Sequence, residues 1–152
     1  MAVPYYGDFP EDATVYIPFN TFSSDDPSAS VTITDLVDTD IHYHKNGHVD
    51  QYSADAATLV SIDFDGITGN HMLAIDTSEN AFFATGSEIS VRMEGTTIDG
   101  ATINAFIGAF SIERAGGILA LIKAGTISVN VTKIEGVDAT DEIDGAEGAG
   151  IS

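Results

Sequence analysis

The clearest alternation of apolar and polar residues lies between Glu88 and Arg114. Ile89, Val91 and Met93 alternate with polar residues, a period of two that is typical of a β-strand with one buried face. Asp99-Gly100 follows and favours a two-residue turn with positive φ at both positions. The return segment is almost wholly uncharged, which is typical of an interior strand. The pattern predicts a long β-hairpin around which the rest of the chain packs.

Shorter segments elsewhere show the same alternation. They predict strands at 13–22, 31–36, 59–65, 71–77 and 126–134, and a second hairpin at 40–53 with Asn46-Gly47 at its turn. Pro18 cannot donate to a ladder, so the first strand is expected at a sheet edge. In 59–65, the side chains of Val60, Ile62 and Phe64 are expected to face inward.

Two segments have less definite patterns. A helical turn is expected near residues 79–83. Residues 115–125 are compatible with two structures: their apolar spacing favours a short helix, whereas the flanking glycines and the short length leave a buried strand open.

Seven to nine short strands separated by turn residues indicate an all-β fold, an antiparallel β-sandwich of immunoglobulin-like architecture. The predicted organisation is an extended N-terminal arm (1–12), the sandwich domain (13–134) and an acidic, Gly-rich tail (135–152). The arm has two alternatives, since it can cover its own core or reach a neighbouring subunit. A length of 152 residues suits one domain.

Charge narrows the possible partners. The chain has 24 acidic and five basic residues and a net charge of −19, which repels nucleic-acid backbones and anionic membranes. No apolar run reaches the roughly 18 residues of a membrane helix, and the N-terminus lacks the features of a signal peptide. The acidic surface either confers solubility or complements a basic partner or divalent cations.

Two groups of residues resemble metal ligands. His42, His44 and His48 flank the second hairpin turn and could converge on Zn²⁺ or Ni²⁺, although exposed histidines on a wet face explain them equally simply. Asp63, Asp65 and Gly66 superficially resemble a Ca²⁺ loop, but the glycine position is wrong for an EF-hand. Weak cation binding by Asp141-Glu142 and Asp144-Gly145 is a further alternative.

Catalytic motifs are absent from the sequence. There is no cysteine, no Gly-x-Ser-x-Gly elbow, no His-Glu-x-x-His and no phosphate-binding glycine loop. Carboxylates are too numerous for any pair to be selected by spacing. We therefore expect no enzyme activity and assign no catalytic, cofactor-binding or metal-binding residue.

A series of short segments follows in a fixed order between residues 10 and 114. The segments are Glu11–Thr14, Phe19–Phe22, Val60–Asp65 with Thr68-Gly69, Ile75–Ser78, Ala84–Ser87, Gly95–Gly100 and Phe110–Glu113. No single motif is specific, but in order and spacing together they resemble a β-sandwich module of tailed-bacteriophage structural proteins.

The resemblance implies a non-catalytic virion protein attached at the neck, tail or baseplate. Its implied partners are other virion proteins, portal, tail or capsid, and further copies of itself, after synthesis in the host cytoplasm. That family often continues into a fibrous region, which this sequence does not show, so a compact attachment role is expected. The alternatives are a capsid decoration protein and a carbohydrate- or cell-surface-binding module, for which the candidate stacking residues are Tyr5, Tyr6, Tyr43 and Tyr52.

Overall fold

A computed structural model describes residues 2–49, 51–53, 57–125, 133–134 and 137–138. By packing, the chain divides into two units, Met1–Ala120 and Leu121–Ser152. The first unit contains both sheets of a β-sandwich, so the all-β sandwich prediction is confirmed. The immunoglobulin-like subclass stays a prediction.

The described residues of the first unit form eight strands, and the first two lie in different sheets. Their bounds are β1 Tyr5–Phe9, β2 Thr14–Asn20, β3 Ile41–Lys45, β4 Gln51–Ser53, β5 Thr58–Ser61, β6 Asn70–Asp76, β7 Ser87–Ile98 and β8 Ala101–Ile112. One sheet has the order β1-β8-β7-β3-β4 and the other the order β2-β6-β5. All pairs in the two sheets are antiparallel except β1 with β8, which run parallel.

The core lies between the inner faces of the two sheets. Alternate residues of each strand point into it, as the period of two requires. Its fully buried members include Ile41, Tyr43, Ile89, Val91 and Phe110 from the larger sheet, and Val15, Ile17, Leu73 and Ile75 from the smaller.

The long hairpin is confirmed. Strands β7 and β8 pair along their whole length, and Asp99 and Gly100 have φ values of 50° and 75°, as the turn type demands. Strand β8 lies between β1 and β7 and is therefore an interior strand. The second hairpin is also present, with Asn46 and Gly47 at positive φ between β3 and β4.

The sheets approach each other closely where β8 crosses β2. A Cβ added at Gly108 would lie 2.8 Å from Cε2 of Tyr6 and 3.1 Å from Cδ1 of Ile17. The backbone of Gly108 does not need positive φ, so packing rather than conformation favours glycine here. Pro18 lies nearby on β2, which is an edge strand as expected.

Three local expectations are corrected. The strand at 59–65 ends at Ser61, because Asp63 and Asp65 adopt left-handed backbone and Phe64–Gly66 form a 3₁₀ turn; Ile62 and Phe64 are consequently exposed. Residues 31–36 form one isolated bridge, Ile33 with Ile98, rather than a strand. The helical turn expected near 79–83 is a 3₁₀ turn at Thr77–Glu79.

The N-terminal arm pairs with its own sheet, and contact with a neighbouring subunit stays a prediction. Residues Tyr5–Phe9 form β1 and pair with β8 of their own chain, with an irregularity at Gly7. The carbonyl of Pro4 accepts a hydrogen bond from the Ala109 N–H at 2.9 Å, and Phe9 packs edge-to-face on Phe110. The arm is thus an edge strand of the larger sheet.

Towards the C-terminus, residues Ile118–Lys123 form helix α1, so the ambiguous segment is helical. Short strands β9 (Lys133–Ile134) and β10 (Val137–Asp138) pair as a hairpin. Most of the strand expected at 126–134 and of the acidic tail lies outside the described residues. No helix among the described residues is long and apolar enough to cross a membrane.

Candidate functional site

An apolar groove of about 530 Å³ opens at one end of the sandwich. Three separate parts of the chain line it: the residues before β1, the end of β2 and the tip half of the long hairpin. The lining residues are Ala2, Val3, Pro4, Phe19, Asn20, Thr21, Phe22, Met93, Ile98, Ile103, Ala105, Phe106 and Ile107. All of them are uncharged. Phe22 and Phe106 are about half exposed, at 52% and 48%.

Hydrogen bonds join the hairpin tip to the loop after β2. The Asp99 carboxylate accepts from the Ser24 N–H at 2.8 Å, from the Ser24 hydroxyl at 2.7 Å and from the Ser23 hydroxyl at 3.1 Å. Asp35 similarly accepts from the Thr97 N–H at 2.6 Å and from the Thr96 hydroxyl at 3.0 Å. These bonds fix the segments that carry Ile98 and Phe22, both of which line the groove.

The carboxylates beside the groove stay charged. Hydrogen bonds from Ser24, and then from Ser23, hold the pKa of Asp99 below its usual value. The Thr97 N–H and hydroxyl lower the pKa of Asp35, and the Ser28 hydroxyl and N–H lower the pKa of Asp26. In each case the donors favour the ionised form. Ionised carboxylates of Asp99 and Asp35 therefore lie close to Ile98, at the hairpin-tip end of the uncharged groove.

The three histidines of the second hairpin do not converge. His42 and His44 lie on one face of β3, where His42 Nε2 is 3.5 Å from a Glu94 carboxylate oxygen and His44 Nδ1 is 3.3 Å from the His48 carbonyl. The His48 side chain is exposed beyond the turn. Among the described residues, no group of three or more His, Asp or Glu side chains is arranged to hold a metal ion.

The Asp63 segment is a structural turn that is hydrogen-bonded to the buried His71 of β6, rather than a calcium loop. Asp63 accepts from the Gly69 N–H at 2.8 Å, and its own N–H donates to His71 Nδ1 at 3.2 Å. His71 Nε2 lies 2.7 Å from the Thr21 hydroxyl, which in turn donates to the Val31 carbonyl. Since Nδ1 accepts, Nε2 must carry the proton, and the neutral ring joins β6 to two loops.

The four tyrosines considered for sugar stacking are engaged in packing. Tyr43 is fully buried and hydrogen-bonded to Thr58. Arg114 covers the ring of Tyr5, at 5.1 Å from the centroid, and the Tyr6 hydroxyl donates to the Pro18 carbonyl. Tyr52 stacks on Phe82. Tyr5 is nevertheless half exposed, as are Tyr16, Phe22, Phe64 and Phe106 among the other aromatic residues of the described chain.

The groove was not found by sequence reasoning. Its walls come from residues about 100 positions apart in the chain, and only the topology brings them together. A partial signal existed in Phe22, an aromatic residue that ends an apolar strand immediately before a Ser- and Asp-rich loop.

The groove and sandwich define the class that the structure supports, an all-β sandwich domain with an open apolar groove. Comparison with protein-family models, curated proteins and solved structures finds no match to this chain.

Proposed function

We propose that this protein is a non-catalytic structural subunit of a tailed-bacteriophage virion, attached at the neck, tail or baseplate and mediating protein–protein assembly. The observation that carries the proposal is the open apolar groove in a chain whose net charge is −19. A charge of this size opposes non-specific association. An uncharged groove that stays open on such a surface suits a specific protein contact.

The segments that resemble phage structural proteins support the same proposal. Two of them, Phe19–Phe22 and Gly95–Gly100, contribute Phe19, Phe22 and Ile98 to the groove. The groove is therefore built partly from the residues on which the resemblance rests. The non-catalytic part of the proposal rests on the sequence, which carries no catalytic motif.

We also infer the immunoglobulin-like connectivity, from strand order. The order β2-β6-β5 beside β8-β7-β3-β4 corresponds to strands B-E-D beside G-F-C-C′ of that fold. Domains of this kind present edge strands and end loops for contacts. Many copies in a ring would bind strongly even through a modest individual interface.

Antibody labelling of phage particles by negative-stain microscopy tests the proposal. Label confined to the neck, tail or baseplate would support it. Label spread over the whole head would favour the capsid decoration alternative instead. Particles without label, from a lysate in which the protein is abundant, would overturn a virion role. Portal, capsid or tail genes beside the gene for this chain would be an independent observation in its favour.

A further inference from the structure

We propose that the groove binds an apolar segment of a partner protein that is flanked by lysine or arginine residues. The inference rests on the proposed assembly function, because it specifies the chemistry of the partner at the same surface. It commits to a basic protein segment rather than to a lipid, a nucleic acid or a second copy of this chain.

The shape and lining of the groove favour apolar side chains. Its volume of about 530 Å³ has room for a few side chains of a peptide. Ile98, Ile103 and Ile107 are only partly buried against the core, and Phe22 is 52% exposed, so each has surface left to cover. Covering this surface would supply the hydrophobic part of the binding free energy.

The surroundings of the groove favour positive charge. Asp99 directly follows Ile98 in the chain, and Asp25 and Asp26 follow shortly after Phe22. The Ser23 hydroxyl donates to Asp99 and accepts from the N–H groups of Asp25 and Asp26, at 3.2 and 3.3 Å, which ties these acids to the hairpin tip. All three acids are exposed.

No base compensates for these acids inside the groove. The described lining contains neither lysine nor arginine. Both carboxylates are ionised near neutral pH, and hydrogen bonds from Ser28 and Ser24 lower the pKa of Asp26 and Asp99 further below it. Basic residues on either side of an apolar anchor would therefore meet complementary charge and be steered to the groove.

The same charges disfavour the other occupants. A second copy also has a net charge of −19, so it would bring like charge close to Asp25, Asp26 and Asp99. Phosphate groups of nucleic acids or anionic lipids would be repelled in the same way. A protein segment with an apolar centre and flanking basic residues matches both the apolar lining of the groove and the acids near it.

The first test compares two synthetic peptides with the full chain. Both have a Leu-Phe-Leu core; one is flanked by lysines and the other by glutamates. Fluorescence anisotropy should show tighter binding of the lysine peptide, with the difference shrinking at about 0.5 M salt because exposed charges are screened. Equal affinities would overturn the basic partner, and no binding of either peptide would overturn the groove as a docking site.

The second test locates binding with matched variants. Phe22→Ala should weaken lysine-peptide binding at least about fivefold if Phe22 anchors it. Tyr16→Ala, which removes an equally exposed ring (59%) from β2 outside the groove, should leave affinity unchanged. Equal losses in both variants would contradict binding in the groove.

A charge variant tests the acids without disturbing the turn. Asp99→Asn keeps a residue that the turn favours and an oxygen that accepts from Ser24. It should weaken binding about two- to fivefold, the usual effect of one exposed charge. Glu79→Gln is the control, since Glu79 lies beyond the opposite end of β6. Unchanged affinity in Asp99→Asn would count against charge complementarity, and this readout remains available if Phe22→Ala fails to fold.

The two proposals fail in different ways. Peptide binding in the groove without any label on phage particles would overturn the virion function and leave the groove assignment in place. Label on the neck or tail without peptide binding would support the virion function and overturn the assignment of the groove as a docking site.

Discussion

At the scale of single residues, His71 is a buried side chain whose protonation would lower the stability of the fold. Its side chain is almost completely buried, and both ring nitrogens have hydrogen-bond partners that require the neutral ring. Burial lowers the pKa of His71 below its usual 6.5, against a smaller opposing effect of Asp63. Folding should therefore depend on pH at this residue.

The predicted effect has a definite sign. The unfolded chain binds a proton at His71 more readily than the folded chain, so the stability contributed by the neutral ring is present above about pH 6.5 and lost as pH falls towards the lower folded pKa. Urea unfolding at about pH 7.5 and 5.5 should show less loss on acidification in His71→Gln than in the original chain. At the higher pH the variant should be about 1–3 kcal/mol less stable, through lost buried hydrogen bonds.

His48→Gln is the control for that measurement, because its side chain is exposed beyond the hairpin turn. The control should keep the original pH dependence. A His71→Gln chain with the same pH dependence as the original would contradict a buried neutral ring.

A second prediction at this scale concerns the tight packing around Gly108. Gly108→Ala should destabilise the fold by about 1–3 kcal/mol, since its Cβ would overlap Tyr6 and approach Ile17 of the facing sheet. Gly95→Ala is a useful comparison: nothing lies within 4 Å of its Cβ, but its φ is +78°. Chemical denaturation of both variants separates overpacking from backbone strain, which costs about 1 kcal/mol. A neutral Gly108→Ala would show that the sheets can separate locally.

At the scale of elements, β1 determines whether the larger sheet has an open edge. It covers β8 by parallel pairing, and Tyr6 and Phe9 pack on the core. Strand β8 would otherwise present unpaired backbone groups along its outer side, which is a template for association. The N-terminal segment therefore contributes to stability within one chain.

Deleting residues 1–12 should lower the thermal midpoint and increase association, because the edge of β8 becomes free. Deleting only residues 1–3 keeps the Pro4 carbonyl bond to Ala109 and all of β1, so it should leave the midpoint nearly unchanged. Thermal denaturation and sedimentation velocity measure the two effects. A shortened chain lacking 1–12 that keeps the association state and the midpoint of the full chain would refute the role given to β1.

At the scale of the whole molecule, charge is the dominant property. Self-repulsion among 24 acids and only five bases opposes the compact state and is screened by salt. Raising NaCl from about 0.02 to 0.5 M should therefore raise the thermal midpoint by a few degrees.

Magnesium chloride at the same ionic strength distinguishes two roles of the acidic surface, general charge repulsion and the binding of divalent cations. If the acids act through general repulsion, both salts should raise the midpoint equally. A clearly larger effect of Mg²⁺ would show that the chain collects divalent cations, a result that screening alone does not produce.

The sequence by itself determined the elements whose signals are local. The alternation at Ile89, Val91 and Met93 and the dipeptides Asp99-Gly100 and Asn46-Gly47 are sufficient for two hairpins, because strand period and turn conformation depend on near neighbours. The same local reasoning failed at Ile62 and Phe64. The chain turns there, and the Asp63 N–H donates a hydrogen bond to His71 in the next strand. No local pattern of residues reveals this contact.

Only the tertiary structure decided where the arm lies and where the groove forms. The parallel pairing of β1 with β8 joins residues about 100 apart, and the groove needs the arm, the end of β2 and the hairpin tip together. These placements depend on long-range packing, which no local pattern records. The acids next to Ile98 and Phe22 in the chain, and Phe22 itself, were already visible in the sequence.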